Sequence, residues 1–102
     1  MAELGQIADN VRSKNAGPFW VTMDIFCGDA ARYGHITEHL KTQAVAALFD
    51  TPINTLKRFD IADLYVIKVS LPRPVVQGMR ADRDMHGAQW GALLAEMTLP
   101  DL

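Results

Sequence analysis

The densest chemistry in this sequence lies near its start, in the run Arg12-Ser13-Lys14-Asn15-Ala16-Gly17-Pro18-Phe19. Two cations, a hydroxyl and an amide stand beside a Gly-Pro pair, where a plain surface turn needs only the Gly-Pro. Held on a rigid strand, a donor-rich turn of this kind can grip a carboxylate, a phosphate or a partner's backbone. The plainer alternative is a capped turn in which Ser13 and Asn15 satisfy nearby backbone groups.

Three further places carry reactive side chains. Asp24 sits in the middle of an apolar stretch, where a carboxylate must be paired or neutral if its face is covered. In His86-Gly87-Ala88-Gln89-Trp90, a loop histidine can act as general acid or base near neutral pH, with Gln89 orienting a substrate oxygen. The same segment also reads as a loop anchored to the core by Trp90. Pro72-Arg73-Pro74 presents an arginine between two prolines, so its guanidinium has little backbone entropy to lose on binding an anion. The competing reading is a strand terminator with an exposed arginine.

His35 and His39, four residues apart, would share a helix face and can in principle hold zinc. The spacing lacks a glutamate after the first histidine and a third ligand, so two solvated histidines are the reading adopted, with no metal and no cofactor expected. The sequence has no Walker-type loop, no dinucleotide glycine fingerprint and no Ser-His-Asp order.

The elements that must position these groups follow from periodicity. Leu4, Ile7, Ala8 and Val11 recur at helical spacing and suggest a short helix over the first ten residues. Ser13 to Pro18 then reads as a turn. Trp20 to Cys27 reads as a strand with Val21, Met23, Ile25 and Cys27 on one apolar face. Trp20, Thr22, Asp24 and Phe26 form its mixed face. Asp29 can cap a helix over Ala30–Tyr33 that Gly34 interrupts. A second helix is expected over about Thr37 to Phe49, followed by a single turn opened by Thr51 and Pro52. Leu64 to Leu71 reads as the second strand, Val75 to Gly91 as irregular, and Ala92 to Leu99 as a closing strand, with a helix also compatible with its periodicity. The order predicts an α+β sandwich, with helices on one face of a mixed sheet.

The whole chain of 102 residues fits a single domain able to bury one core without disulfides. Its net charge of -2 gives no footprint for nucleic acid. One cysteine, Cys27, allows no internal disulfide and favours a reducing compartment. No secretory signal or membrane-length apolar run is evident. These features point to a soluble cytoplasmic protein, and its strand edges permit self-association.

The run Arg12–Phe19, followed by Thr22-Met23-Asp24-Ile25, and the segment Pro72-Arg73-Pro74-Val75-Val76-Gln77-Gly78, with Asp84 to Gln89 after it, form a pattern. On these residues the chain resembles the small bacterial proteins of domain of unknown function family 4387. That family is similar to the ferredoxin-fold domain at the C-terminus of AtuA-like proteins, named for acyclic terpene utilisation. The resemblance covers nearly the whole chain. It implies a small ferredoxin-like domain that accompanies a larger AtuA-like protein in the breakdown of branched acyl compounds, at a hydration or related lyase step. In the related domain an Arg-Ser-Gly-Asp-Lys-Gly run takes the place of Arg12–Lys14, so Arg12, Ser13 and Lys14 carry over, whereas its acidic residue has no counterpart. It also implies a strand near the N-terminus where the periodicity suggests a helix.

The expectation is therefore the small subunit of a two-component hydratase or lyase acting on carboxylates or acyl thioesters. In it, Arg12, Ser13, Lys14, Asn15, Arg73 and Gln89 bind substrate, and Asp24 and His86 move protons. Two alternatives stand beside it: a non-catalytic module that stabilises the larger protein, and a free-standing carboxylate-binding protein.

Overall fold

Alternation of apolar and polar residues, not helical periodicity, decides how this chain begins. The computed structural model describes residues 1–17, 19–72 and 88–102, with the backbone alone at 88 and 89. After a two-residue strand β1 (Ala2–Glu3), only Leu4–Ile7 forms a helix, α1, so the helix suggested for the first ten residues is a single turn. Asn10–Asn15 is strand β2, with residues of alternating exposure. Most of the expected turn is thus strand, and only the residues after Asn15 connect it to β3 (Trp20–Phe26). The helical spacing misled because Leu4 and Ile7 are buried from the helix, while Val11 packs against the same core from a strand.

Gly28 adopts a positive φ of 98° where β3 turns toward α2 (Ala30–His39). A Cβ at this position would lie 3.1 Å from the Arg32 guanidinium and 3.2 Å from the Asp9 Cβ. Asp29 caps α2 as expected: its Oδ1 accepts from the Arg32 N–H at 2.8 Å and its Oδ2 from Arg32 Nε at 3.0 Å. The backbone donor of Arg32, more than its guanidinium, holds the Asp29 carboxyl below the usual range. Gly34 does not interrupt this helix. A glycine inside a helix costs only about 1 kcal/mol, less than the remaining turns supply through packing. The break comes instead at Leu40 and Lys41, which are extended, and α3 runs over Thr42–Leu48.

Pro52 precedes a short 3₁₀ turn, Ile53–Thr55, without a side-chain cap from Thr51. Lys57–Ile61 then forms β4, a strand absent from the sequence reading, and Val66–Pro72 forms β5. Tyr65, at φ 52°, closes the turn between them. The last apolar segment is helix α4 (Ala88–Ala95), and the expected closing strand shrinks to β6 (Thr98–Leu99), paired with β1. Leu94 faces the core while Leu93 is exposed, which is helical rather than strand-like facing for the segment.

The main sheet has the order β2-β3-β5-β4. An α+β sandwich with helices on one face forms as expected, but the parallel pairing that a mixed sheet requires is absent among the described strands: every pairing is antiparallel. From β3 through α4 the chain follows the strand–helix–strand–strand–helix order of the ferredoxin-like plait. The edge position beside β3, which the plait gives to its last strand, is filled by β2 from the N-terminal side.

Val21, Met23 and Ile25 of β3, with Ile67, Val69 and Leu71 of β5, are fully buried and face the helices. Ile36, Leu40, Val45, Ala46 and Leu94 cover them in one cluster. The apolar face assigned to β3 from sequence is the core face. Arg58, on the same side, ties the break between α2 and α3 to the sheet. Its Nη1 donates to the Leu40 carbonyl and to Thr42 Oγ1, its Nη2 reaches the Thr37 carbonyl, and its Nε pairs with Asp60 at 2.9 Å. No helix among the described residues is long and apolar enough to cross a membrane.

Candidate functional site

Strand register sorts the opening motif onto two faces. Residues directly opposite one another in an antiparallel pair share a face. Ser13 lies opposite Met23, and Asn15 opposite Val21, so both belong to the helix-covered side. Arg12 lies opposite Asp24, and Lys14 opposite Thr22, so both belong to the outer side. The four residues proposed together as substrate-binding therefore divide.

Ser13 has a structural task. Its Oγ accepts from the Gly91 N–H of α4 at 2.7 Å, and a Cβ on Gly91 would fall 2.9 Å from that Oγ and 3.1 Å from the Ser13 nitrogen. Glycine at 91 allows α4 to approach the β2 backbone this closely. Arg12 and Lys14 are exposed, by contrast.

On the outer face the pairings build a grid. One row across the sheet reads Arg12, Asp24, Lys68, Phe59, and the next reads Lys14, Thr22, Ser70, Lys57. Strands spaced about 4.8 Å apart place Arg12 and Lys68 on either side of Asp24, each one strand away. Thr22 Oγ1 and Ser70 Oγ lie 3.3 Å apart in the second row, and Lys57 Nζ stands 5.3 Å from the centre of the Trp20 ring. A cavity of about 270 Å³ is lined by Arg12, Lys14, Asp24 and Phe26 and bordered by Ser13.

Asp24 is the unusual member. One of its oxygens, Oδ1, is buried without a hydrogen-bond partner, and neither neighbouring cation forms an ion pair with it among the described residues. Leaving a buried acceptor unsatisfied costs about 1–3 kcal/mol, and such atoms call for an explanation in function or strain. A half-buried carboxylate that lines a cavity, flanked by cations that it does not neutralise, can accept a proton from a bound molecule whose negative charge those cations hold.

Arg73 and His86 lie outside the described residues. Gln89 belongs to the first turn of α4, and its side chain also lies outside them. The sequence reading missed Lys68, which completes the row. Its signal was present in the alternation of Val66–Pro72, where Lys68 and Ser70 interrupt apolar positions with the period of a strand that has one polar face.

The other groups singled out do not form a second site. His35 and His39 do share a face of α2, with ring centres 4.5 Å apart, but His35 Nε2 lies 2.6 Å from the Pro100 carbonyl and His39 Nε2 lies 3.9 Å from Glu38. No group of three potential metal ligands exists among the described residues. Cys27 is fully buried, and burial, reinforced by Asp60 and Asp29, pushes its thiol up to about 11. It is a protonated core residue rather than a nucleophile.

The family model described as Domain of unknown function (DUF4387) matches residues 4–98. The chain belongs to that family. No curated protein and no solved structure matches it.

Proposed function

We propose that this chain is the small, substrate-holding subunit of a two-component cytoplasmic hydratase or lyase that acts on carboxylates or branched acyl thioesters together with a larger AtuA-like protein. The observation that carries the reading is the row Arg12–Asp24–Lys68, in which one carboxylate with an unpartnered oxygen stands between two cations on an outward sheet face. Adding or removing water beside a carboxylate or thioester requires three things. A base takes the proton alpha to the carbonyl, positive charge or donors stabilise the resulting enolate, and an acid protonates the departing hydroxyl.

Asp24 supplies the base in this scheme. Arg12 and Lys14 border the same cavity and hold the anionic group, drawing enolate charge away from the carbon as the proton leaves. His86 is the candidate acid from this chain, and Arg73 and Gln89 are further contacts to substrate oxygens. Ser13 and Asn15 leave the binding set and become supports of β2. The larger protein completes the enclosure, because charge stabilisation gains strength where water is excluded.

The test is recovery of the tagged chain from its native host, followed by native mass spectrometry. A stoichiometric complex with one larger protein is expected, and Asp24→Asn within that complex should abolish turnover while leaving the complex intact. A lone chain or a homo-oligomer in the recovered material overturns the two-component reading. Loss of the complex in the Asp24 variant would assign this face to subunit docking instead.

A further inference from the structure

Cations stand on both sides of Asp24, and that symmetry restricts the ligand more tightly than a single anion clamp would. Arg12 and Lys14 come from β2 on one side, and Lys68 comes from β5 on the other. Among the described residues, a monocarboxylate held by Arg12 and Lys14 leaves Lys68 no group of opposite charge in its row except Asp24, with which it forms no ion pair. Lys57, the next cation on this face, is already drawn over the Trp20 ring.

We infer that the site is built for a short dicarboxylate, with one carboxylate on Arg12 and Lys14, the other on Lys68, and the carbons between them above Asp24. This inference rests on the carboxylate-binding reading above and names its substrate class. The span agrees. Two strand spacings separate the backbones of Arg12 and Lys68 by about 10 Å, and both side chains can lean inward. With carbon–carbon bonds of about 1.5 Å, a four- to six-carbon diacid separates its carboxyl carbons by roughly 4–6.5 Å, which leaves room for a hydrogen bond at each end. The charges agree as well. Arg12, Lys14 and Lys68 outnumber Asp24 on this part of the face, so a dianion brings the site close to neutrality. The bound diacid places an alpha carbon beside the Asp24 carboxylate, which lines the same cavity as Arg12 and Lys14.

Isothermal titration calorimetry of the purified chain with succinate, glutarate and adipate, against butyrate and pentanoate, tests the inference. A diacid is expected to bind about tenfold or more tightly than the monoacid of equal length, the gain of one charge-assisted contact. Lys68→Ala should bring that ratio close to one. Lys41→Ala, on the opposite side of the molecule, should leave the ratio as it is. Equal affinity for mono- and diacids, or an unchanged ratio in Lys68→Ala, overturns the dicarboxylate assignment and leaves carboxylate binding standing. Absence of binding by every acid tested overturns both readings together.

Discussion

Replacing Asp24 by valine should make this protein more stable while abolishing turnover. Asp24 occupies the centre of β3, a strand hydrogen-bonded on both sides. Its Oδ1 has no partner, and removing that orphaned acceptor recovers about 1–3 kcal/mol. Valine also suits a central strand better than aspartate, by up to about 1 kcal/mol. Against this stands the loss of attraction to Arg12 and Lys68, roughly 0.2–1 kcal/mol for each cross-strand pair. The balance is a net stabilisation of about 1 kcal/mol, which for a domain of this size raises Tm by about 4–8 °C. Urea denaturation followed by circular dichroism measures the change directly, and an unchanged slope with urea shows that the native and unfolded states themselves are unaltered. A fall in stability of more than about 1 kcal/mol would refute the reasoning. It would mean that Asp24 is held by its cationic neighbours for structural reasons, and that its place on the outer face is no guide to chemistry.

Three other perturbations separate supports from ligand contacts. Ser13→Ala removes the acceptor for the Gly91 N–H and should cost about 1–2 kcal/mol in urea denaturation, with carboxylate affinity unchanged within twofold. Arg58→Lys should lower stability by about 2 kcal/mol or more, because an ammonium cannot reproduce the fork that reaches the Leu40 and Thr37 carbonyls and Asp60 together; thermal unfolding reads the loss. Cys27 has a folded pKa raised above its unfolded value, so its contribution is fully present below about pH 9 and is lost as pH rises toward about 11. Stability should fall by roughly 2–3 kcal/mol across that window in the wild type and by less in Cys27→Ala, and a maleimide should leave the native thiol unlabelled at pH 8.

The sequence made half of this architecture legible. The apolar face of β3 could be read from Val21, Met23, Ile25 and Cys27, because a strand with one buried face alternates cleanly. The capping role of Asp29 was equally clear, since it depends on residues three apart. What local pattern could not give was the role of β2. Arg12-Ser13-Lys14-Asn15 looks like a polar turn because an edge strand with one outer face carries as many polar as apolar positions, and only pairing with β3 shows that its members divide. β4 was hidden for the same reason, as Lys57-Arg58-Phe59-Asp60 spends its charges on both faces of an edge. The C-terminal segment could be read as strand or helix, with strand preferred, because Ala92 to Leu99 is short and apolar, and the structure makes most of it helix.

The division of the motif has a consequence for how the site is held. Side chains along a strand alternate with a period of two, so a slip of one residue would exchange Ser13 and Asn15 with Arg12 and Lys14. The Gly91 N–H bonded to Ser13 Oγ, together with the close approach that glycine permits, fixes β2 against α4 from the covered side. Pairing with β3 fixes it from the lateral side. Once both are set, Arg12 has one possible row, and it is the row of Asp24 and Lys68. The serine in the motif therefore steadies the strand that carries the two cations, although it faces away from anything that binds there. An edge strand is otherwise among the least constrained elements of a sheet. Anchoring it to α4, which the plait order would normally cover with a strand from the other end of the chain, gives the open face a rigid set of charges rather than a loose cluster.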